Sequence, residues 1–161
     1  MSESDFKIRE VDPSEAGQLT QLAHLAKAYW GYPPEFMAAV DDELTIQPED
    51  LENKRLIFRV GTCRGKICSF YTLDKESEPE GSVELSALFV EPMMIGKGFG
   101  RHLFEHAVAE SRALGAHSIM IHSDPYAEKF YTRMGATKIG KIPSRSVSDR
   151  EIPLLKYDLD S

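Results

Sequence analysis

Apolar and charged residues alternate from Phe6 to Val11, the two-residue period of a strand with one buried face. Asp12-Pro13 ends that period, and proline suits the first turn of a helix. Leu19, Leu22, Ala23, Leu25 and Ala26 then recur at helical spacing, and the pattern fades at Trp30-Gly31 and Pro33-Pro34. A short helix is predicted from Glu35 to Leu44. Arg55–Gly61 and Lys66–Leu73 read as a β-hairpin, followed by an acidic loop from Glu76 to Gly81. Val83–Val90 reads as a strand stopped by Pro92. A glycine-rich turn, Gly96 to Gly100, leads into a long helix from about Gly98 to Leu114 that Gly115 ends. Ser118–His122 is a short strand, Pro125 opens a helix that Gly135 ends, and Ala136–Lys141 and Pro153–Leu159 are the last strands. The fold class is therefore α/β with a mixed sheet of about seven strands and about four helices. Hairpins make the sheet mostly antiparallel, and the long central helix makes the strands on either side of it a parallel pair.

A chain of 161 residues fits one domain, residues 1–161, by the usual span of roughly 100–200 residues each. No apolar run is long enough to cross a bilayer, and the first twelve residues carry four acidic side chains and no apolar stretch of a secretory leader. A cytoplasmic, membrane-free protein is expected. Lys plus Arg total 19 against 26 Asp plus Glu, a net charge of −7. With no dense basic cluster, nucleic acid is excluded as a partner. A two-residue turn at Arg64-Gly65 would set Cys63 opposite Lys66 and Cys68 opposite Gly61, so the two cysteines are expected as separate, buried, reduced thiols.

The chemistry is concentrated at Val90-Glu91-Pro92-Met93-Met94-Ile95-Gly96-Lys97-Gly98-Phe99-Gly100-Arg101. A strand enters and a helix leaves. The first amides of a helix lack internal acceptors and carry partial positive charge, and glycines let phosphate oxygens reach them. Lys97 and Arg101 add charge at the rim. The nucleotide-binding P-loop pattern is absent, and the dinucleotide pattern fails because Arg101 stands where its third glycine would be.

This segment resembles the GNAT superfamily of acetyl-CoA-dependent N-acetyltransferases. Leu85, Leu88, Val90 and Pro92 match its strand and proline, and Gly98 and Gly100 match its two small positions. Ile95 stands where the family carries Arg or Gln. A second segment, Asp124 to Ala136, resembles the family's Asn-x-x-Ala-x-x-Phe-Tyr-x-x-x-Gly-Phe, with Tyr126 and Ala136 as departures. Together the matches cover residues 83 to 136.

The resemblance implies acetyl-CoA as co-substrate and no metal. It places Phe89, Val90, Ile95, Gly96, Lys97, Gly98, Gly100, Arg101, Tyr126 and Tyr131 at the cofactor. Backbone amides near Phe89 and Val90 would polarise the thioester carbonyl and stabilise the oxyanion. Tyr131 occupies the family's general-acid position. An amine of ordinary pKa costs roughly 4.6 kcal/mol to deprotonate at pH 7, so a base or a water chain to one is needed. Glu84 lies at a spacing similar to the base of the histone-acetylating branch, and on a regular strand it shares a face with Ser86 and Leu88. His122, at the end of the parallel strand, is the second candidate base, since imidazole titrates near neutrality.

The acceptor would be a small-molecule or peptide amine, and the resemblance is compatible with a homodimer. Tyr29, Trp30, Tyr32, Glu35 and Phe36 form either an aromatic wall or a satellite core, and Ser144 to Arg150 is either a cover for the acceptor or a solvated loop. Two rival functions are weighed. A non-catalytic acetyl-CoA-binding sensor would bind the thioester without releasing thiol. A zinc hydrolase is suggested only by His102-Leu103-Phe104-Glu105-His106, whose histidines lie off the apolar stripe of Phe99, Leu103, Phe104, Ala107, Ser111 and Leu114 and are expected to be exposed.

Overall fold

The computed structural model describes residues 5–160. Its strands are β1 (Phe6–Glu10), β2 (Leu56–Cys63), β3 (Lys66–Asp74), β4 (Ser82–Val90), β5 (Ser118–His122), β6 (Thr137–Pro143) and β7 (Glu151–Asp158). They form one sheet in the order β1-β2-β3-β4-β5-β7-β6. Only β4 and β5 run parallel, as the crossover helix requires. The helices are α1 (Ala16–Ala28), α2 (Pro34–Ala39), α3 (Asp41–Leu44), α4 (Pro48–Glu52), α5 (Phe99–Ala113) and α6 (Glu128–Arg133). Among the described residues there are six α-helices where about four were expected. Val40 leaves helical geometry and splits Glu35–Leu44 into α2 and α3, and Pro48 opens the unexpected α4. None of these three short helices is long enough to show a hydrophobic period.

The sheet separates two cores. Leu103, Phe104, Ala107 and Val108 of α5 and Tyr131 of α6 pack on Tyr71, Leu73, Val83, Leu85, Ile119 and Ile121. Leu19, Leu22 and Ala23 of α1, with Val40 and Leu44, pack on Phe58, Val60 and Phe70 from the other side. Leu114, expected on the apolar stripe of α5, is exposed at the helix end, and Val108 is buried instead. Asp12 and Glu15 form a capping box ahead of α1: Asp12 accepts from the Ser14 amide, and Glu15 accepts from the Asp12 amide and from Arg9.

Two bulges overturn readings that assumed regular strands. Arg64 and Gly65, at φ 53° and 81°, form the primed turn of the β2–β3 hairpin. Cys63 pairs with Lys66 as expected, but Gly61 pairs with Ser69, so Cys68 is an extra residue. The extra residue turns Cys68 toward Cys63, and the two free, buried sulfurs are 2.9 Å apart. Burial pushes the Cys68 thiol up to about 12, which keeps it protonated at neutral pH.

The second bulge lies on β4. Ala87 pairs with Thr72 and Leu85 with Leu73, leaving Ser86 without an opposite residue. Side-chain parity flips there. Leu85, Leu88 and Val90 all contact the α5 core, whereas Ala87 and Phe89 contact the α1 core. Glu84 therefore does not share a face with Leu88. Its register partner Asp74 stands on the same side of β3 as Phe70 and Thr72, the α1 side.

Candidate active site

Pairing of β4 with β5 runs from Ser82 with Ser118 to Leu85 with Ile121 and stops at the Ser86 bulge. Bulges increase local twist and bend the strand that carries them. From Ser86 onward the β5-facing edge of β4, which includes Phe89 and Val90, has no strand beside it among the described residues. Beyond His122 the chain stays with β7, where the Ser123 amide donates to Pro153. The sheet thus opens into a wedge with β4 as one wall.

The glycine turn lies at the end of that wall. Pro92–Met94 form one 3-10 turn, capped by Glu91, which accepts from the Met93 amide. Gly96 and Gly98 have φ of 87° and 85°, and Gly98 caps α5 in the left-handed region. A side chain at Gly98 would cost about 1–2 kcal/mol. The amides of residues 96–101 have no acceptor among the described residues, and the first helical bond runs from the His102 amide to the Gly98 carbonyl. A Cβ on Gly100 would stand 3.3 Å from the Phe130 ring of α6. The bare turn therefore lies beside α6, and its unsatisfied donors match the chemistry of a diphosphate. Arg101 is exposed and paired with Glu105 at 2.9 Å. Ile95 and Lys97 are exposed beside the turn.

Tyr131 is only 7% exposed, with its ring against Phe104 and Phe130. Its hydroxyl makes no hydrogen bond among the described residues. Burial, with the charge of Asp124, raises its phenol above the ordinary value, so it carries its proton at neutral pH.

On the α1 side, Glu84 and His122 come together. Glu84 is buried, with only 7% of the residue exposed, and is not a solvated strand charge. His122 Nδ1 lies 3.7 Å from its carboxylate. Arg145, from the loop between β6 and β7, donates through Nη2 to both Glu84 oxygens at 3.2 and 3.3 Å. Burial lowers the His122 pKa below 6.5. Glu84 opposes that shift and Arg145 adds to it. The imidazole is therefore neutral and able to accept a proton at pH 7.

A second cluster surrounds Asp124, just after β5. Lys27 of α1 pairs with it at 2.5 Å, Tyr32 donates to both its oxygens, and the Tyr126 amide donates at 2.9 Å. Arg150 donates to the Tyr32 hydroxyl at 2.9 Å, with its guanidinium 4.7 Å from the Phe36 ring centre. Tyr126 stacks on Trp30 at 5.2 Å and meets Tyr32 edge-on. The aromatic residues of the α1–α2 break therefore include an exposed wall, with Phe36 reaching the α1 core. The loop from Ser144 to Arg150 folds over this region through Arg145, Val147 and Arg150.

Sequence reading missed Lys27 and Asp124 as members of the site, and it held Tyr32, Arg145 and Arg150 only as parts of an undecided aromatic wall and loop, without their partners. Asp124 stood inside a recognised segment and could have been found there. The others meet their partners across 61 to 118 residues of chain, which no local spacing reports. The histidine pair on α5 also departs from expectation. His106 is half-buried and shares a 2.7 Å hydrogen bond with Tyr71, and His102 packs near Phe6. No group of three or more metal-binding side chains occurs among the described residues.

Solved structures share this architecture. The PaiA N-acetyltransferase from Thermoplasma acidophilum, in complex with coenzyme A, superposes with a TM-score of 0.78 at 17% identity, covering 95% of this chain and 98% of that one. Spermidine N-acetyltransferase from Vibrio cholerae, in complex with CoA and spermine, gives 0.72 at 18% identity over 98% of each chain. The ribosomal-protein-S18-alanine N-acetyltransferase from Escherichia coli gives 0.69 at 16% identity, covering 96% of this chain and 94% of that one. No curated protein matches in sequence. The fold is thus that of CoA-dependent acetyltransferases. A family model described as "Acetyltransferase (GNAT) domain" matches residues 36–157, and the chain belongs to that family.

Proposed function

We propose that this chain transfers the acetyl group of acetyl-CoA to an amine by direct attack, with Tyr131 as general acid and His122, assisted by Glu84, as base. The observation that carries this reading is the run of unpartnered amides at residues 96–101, set beside a β4 edge that has lost its neighbour. Those amides, with Lys97 and Arg101 at the rim, would hold the diphosphate. Bound acetyl-CoA would supply an activated thioester. Phe89 and Val90 offer backbone donors on the open edge to the oxygen that gains charge. Neutral His122 takes the proton of the amine, and Glu84 favours a cation beside it. Tyr131 holds a proton on the opposite face of the sheet, where the leaving sulfur needs one.

The same proposal treats residues 1–161 as one cytoplasmic domain acting on a small-molecule or peptide amine. No helix among the described residues is long and apolar enough to cross a membrane. The structural neighbours named above, a spermidine N-acetyltransferase and a ribosomal-protein-S18-alanine N-acetyltransferase, support an amine acceptor in general.

The decisive experiment is titration with acetyl-CoA followed by thiol release over a panel of amines. Binding and release support the proposal. Binding without release from any amine converts the reading to a sensor, and failure to bind at saturating concentration removes it. Gly100→Val should weaken coenzyme A at least about tenfold, because the added methyls push the α5 N-terminus away from Phe130. Calorimetry on the folded variant reads this, and an unchanged Kd would place the ligand elsewhere.

The pH profile tests the base. The acid limb of kcat/KM should lie below 6.5, because the folded site depresses His122. Glu84→Gln removes the group that raises this pKa, so the limb should move to lower pH. Arg145→Met removes a group that lowers it, so the limb should move to higher pH. A limb that stays fixed in both variants assigns the proton to a water relay.

A further inference from the structure

The cation slot at Glu84 is already filled. Arg145 Nη2 sits 3.2 and 3.3 Å from its two oxygens, on a side chain that is otherwise 65% exposed and has no other ion pair or hydrogen bond among the described residues. An acceptor ammonium that takes the place of this guanidinium at Glu84 leaves Arg145 free to bind a new anion. Nearby, Arg150 has its closest carboxylate among the described residues, Asp124, at 4.0 Å, and its one side-chain hydrogen bond among them goes to the neutral Tyr32 hydroxyl. Asp124 is already committed to Lys27 and to Tyr32.

The two clusters therefore hold three permanent cations, Lys27, Arg145 and Arg150, against two carboxylates, Glu84 and Asp124, while Asp74, opposite Glu84 on β3, is already neutralised by Arg55. This local excess stands in a protein whose net charge is −7. A polycationic acceptor would meet repulsion from two flexible or half-satisfied guanidiniums. An acceptor bearing both an ammonium and a carboxylate would exchange places with the existing pair: its ammonium takes Glu84, and its carboxylate takes the released Arg145 and the under-used Arg150. Guanidinium groups suit this, since they bind carboxylates through paired N–H donors. The exposed Trp30–Tyr126 stack beside them offers a flat apolar surface for the body of such a molecule.

We infer that the acceptor is an amine that also carries a carboxylate, of the free α-amino acid class, with Arg145 and Arg150 as its specificity-determining residues. The inference rests on the acetyltransferase reading, and the test separates the two. The common L-α-amino acids, their α-carboxamides and spermidine are compared as acceptors with acetyl-CoA, by thiol release. In parallel, L-phenylalanine and L-phenylalaninamide are titrated calorimetrically into the CoA-loaded protein.

At least one acid is expected to exceed its carboxamide about tenfold or more in kcat/KM, although the carboxamide's amine is the more readily deprotonated. Arg145→Met and Arg150→Met should each bring that ratio toward one, and Arg112→Met, at the far end of α5, should leave it unchanged. A preference for spermidine or for the carboxamides would overturn the inference and leave the acetyltransferase reading standing. Absence of release from every amine would remove that reading. The calorimetry then decides alone: phenylalanine binding that depends on Arg145 and Arg150 supports the inference, and its absence overturns it.

Discussion

Replacing Tyr131 with phenylalanine is expected to lower kcat by about 10²-fold while leaving coenzyme A affinity and thermal stability nearly unchanged. The ring is held by Phe104 and Phe130 in the α5 core, contacts that phenylalanine keeps. The hydroxyl forms no hydrogen bond among the described residues, so its removal leaves no orphaned partner in the free protein. What is lost is a proton held on a phenol that burial keeps protonated. Steady-state kinetics, a coenzyme A titration and a melting curve on the same preparation read the three quantities. An unchanged kcat would give the proton of the leaving thiol to solvent and leave Tyr131 as core. A fall in kcat accompanied by a matching loss of stability would mark the role as structural.

Asp124→Ala should have the largest effect on the fold itself. The carboxylate accepts from Lys27, from Tyr32 and from the Tyr126 amide, and it is 12% exposed against 15% for Lys27. Truncation strands a largely buried ammonium, which costs about 3–5 kcal/mol. For a domain of this size that corresponds to a fall in Tm of roughly 6–20 °C. The double variant Lys27→Met/Asp124→Ala removes both charges and should recover much of the loss, because the penalty belongs to the unpaired cation and not to the missing contact. If the double variant melts no higher than Asp124→Ala alone, the pair is not the source of the stability. The same substitutions should loosen the Tyr32–Arg150 contact and raise the acceptor KM.

Much of the scaffold could be read from local pattern. The alternation of Phe6 to Val11, the hairpin around Arg64-Gly65 and the helix from Phe99 depend on residues close in sequence, and the parallel placement of Ser118–His122 follows from the crossover helix before it. Short-range rules carry that information. The glycine turn was legible for the same reason: a helix start with bare amides is a property of a few adjacent residues. The short helices α2, α3 and α4 were less so, because six, four and five residues are too few to establish a period.

The sequence by itself determined a mixed sheet with one parallel pair and the turn that bears unsatisfied amides, and it singled out Tyr131, Glu84 and His122 as candidates. Tertiary structure alone decided what those side chains face. The Ser86 bulge flips the parity of β4, ends its pairing with β5, and leaves Glu84 and His122 together on the α1 side while Tyr131 lies in the α5 core. A one-residue insertion carries no local signature strong enough to read, yet it reverses every side chain beyond it. The salt links from Arg145 to Glu84 and from Lys27 to Asp124 likewise join segments 61 and 97 residues apart. Such partners are chosen by the packing of loops over the finished sheet, a long-range outcome that no spacing along the chain encodes.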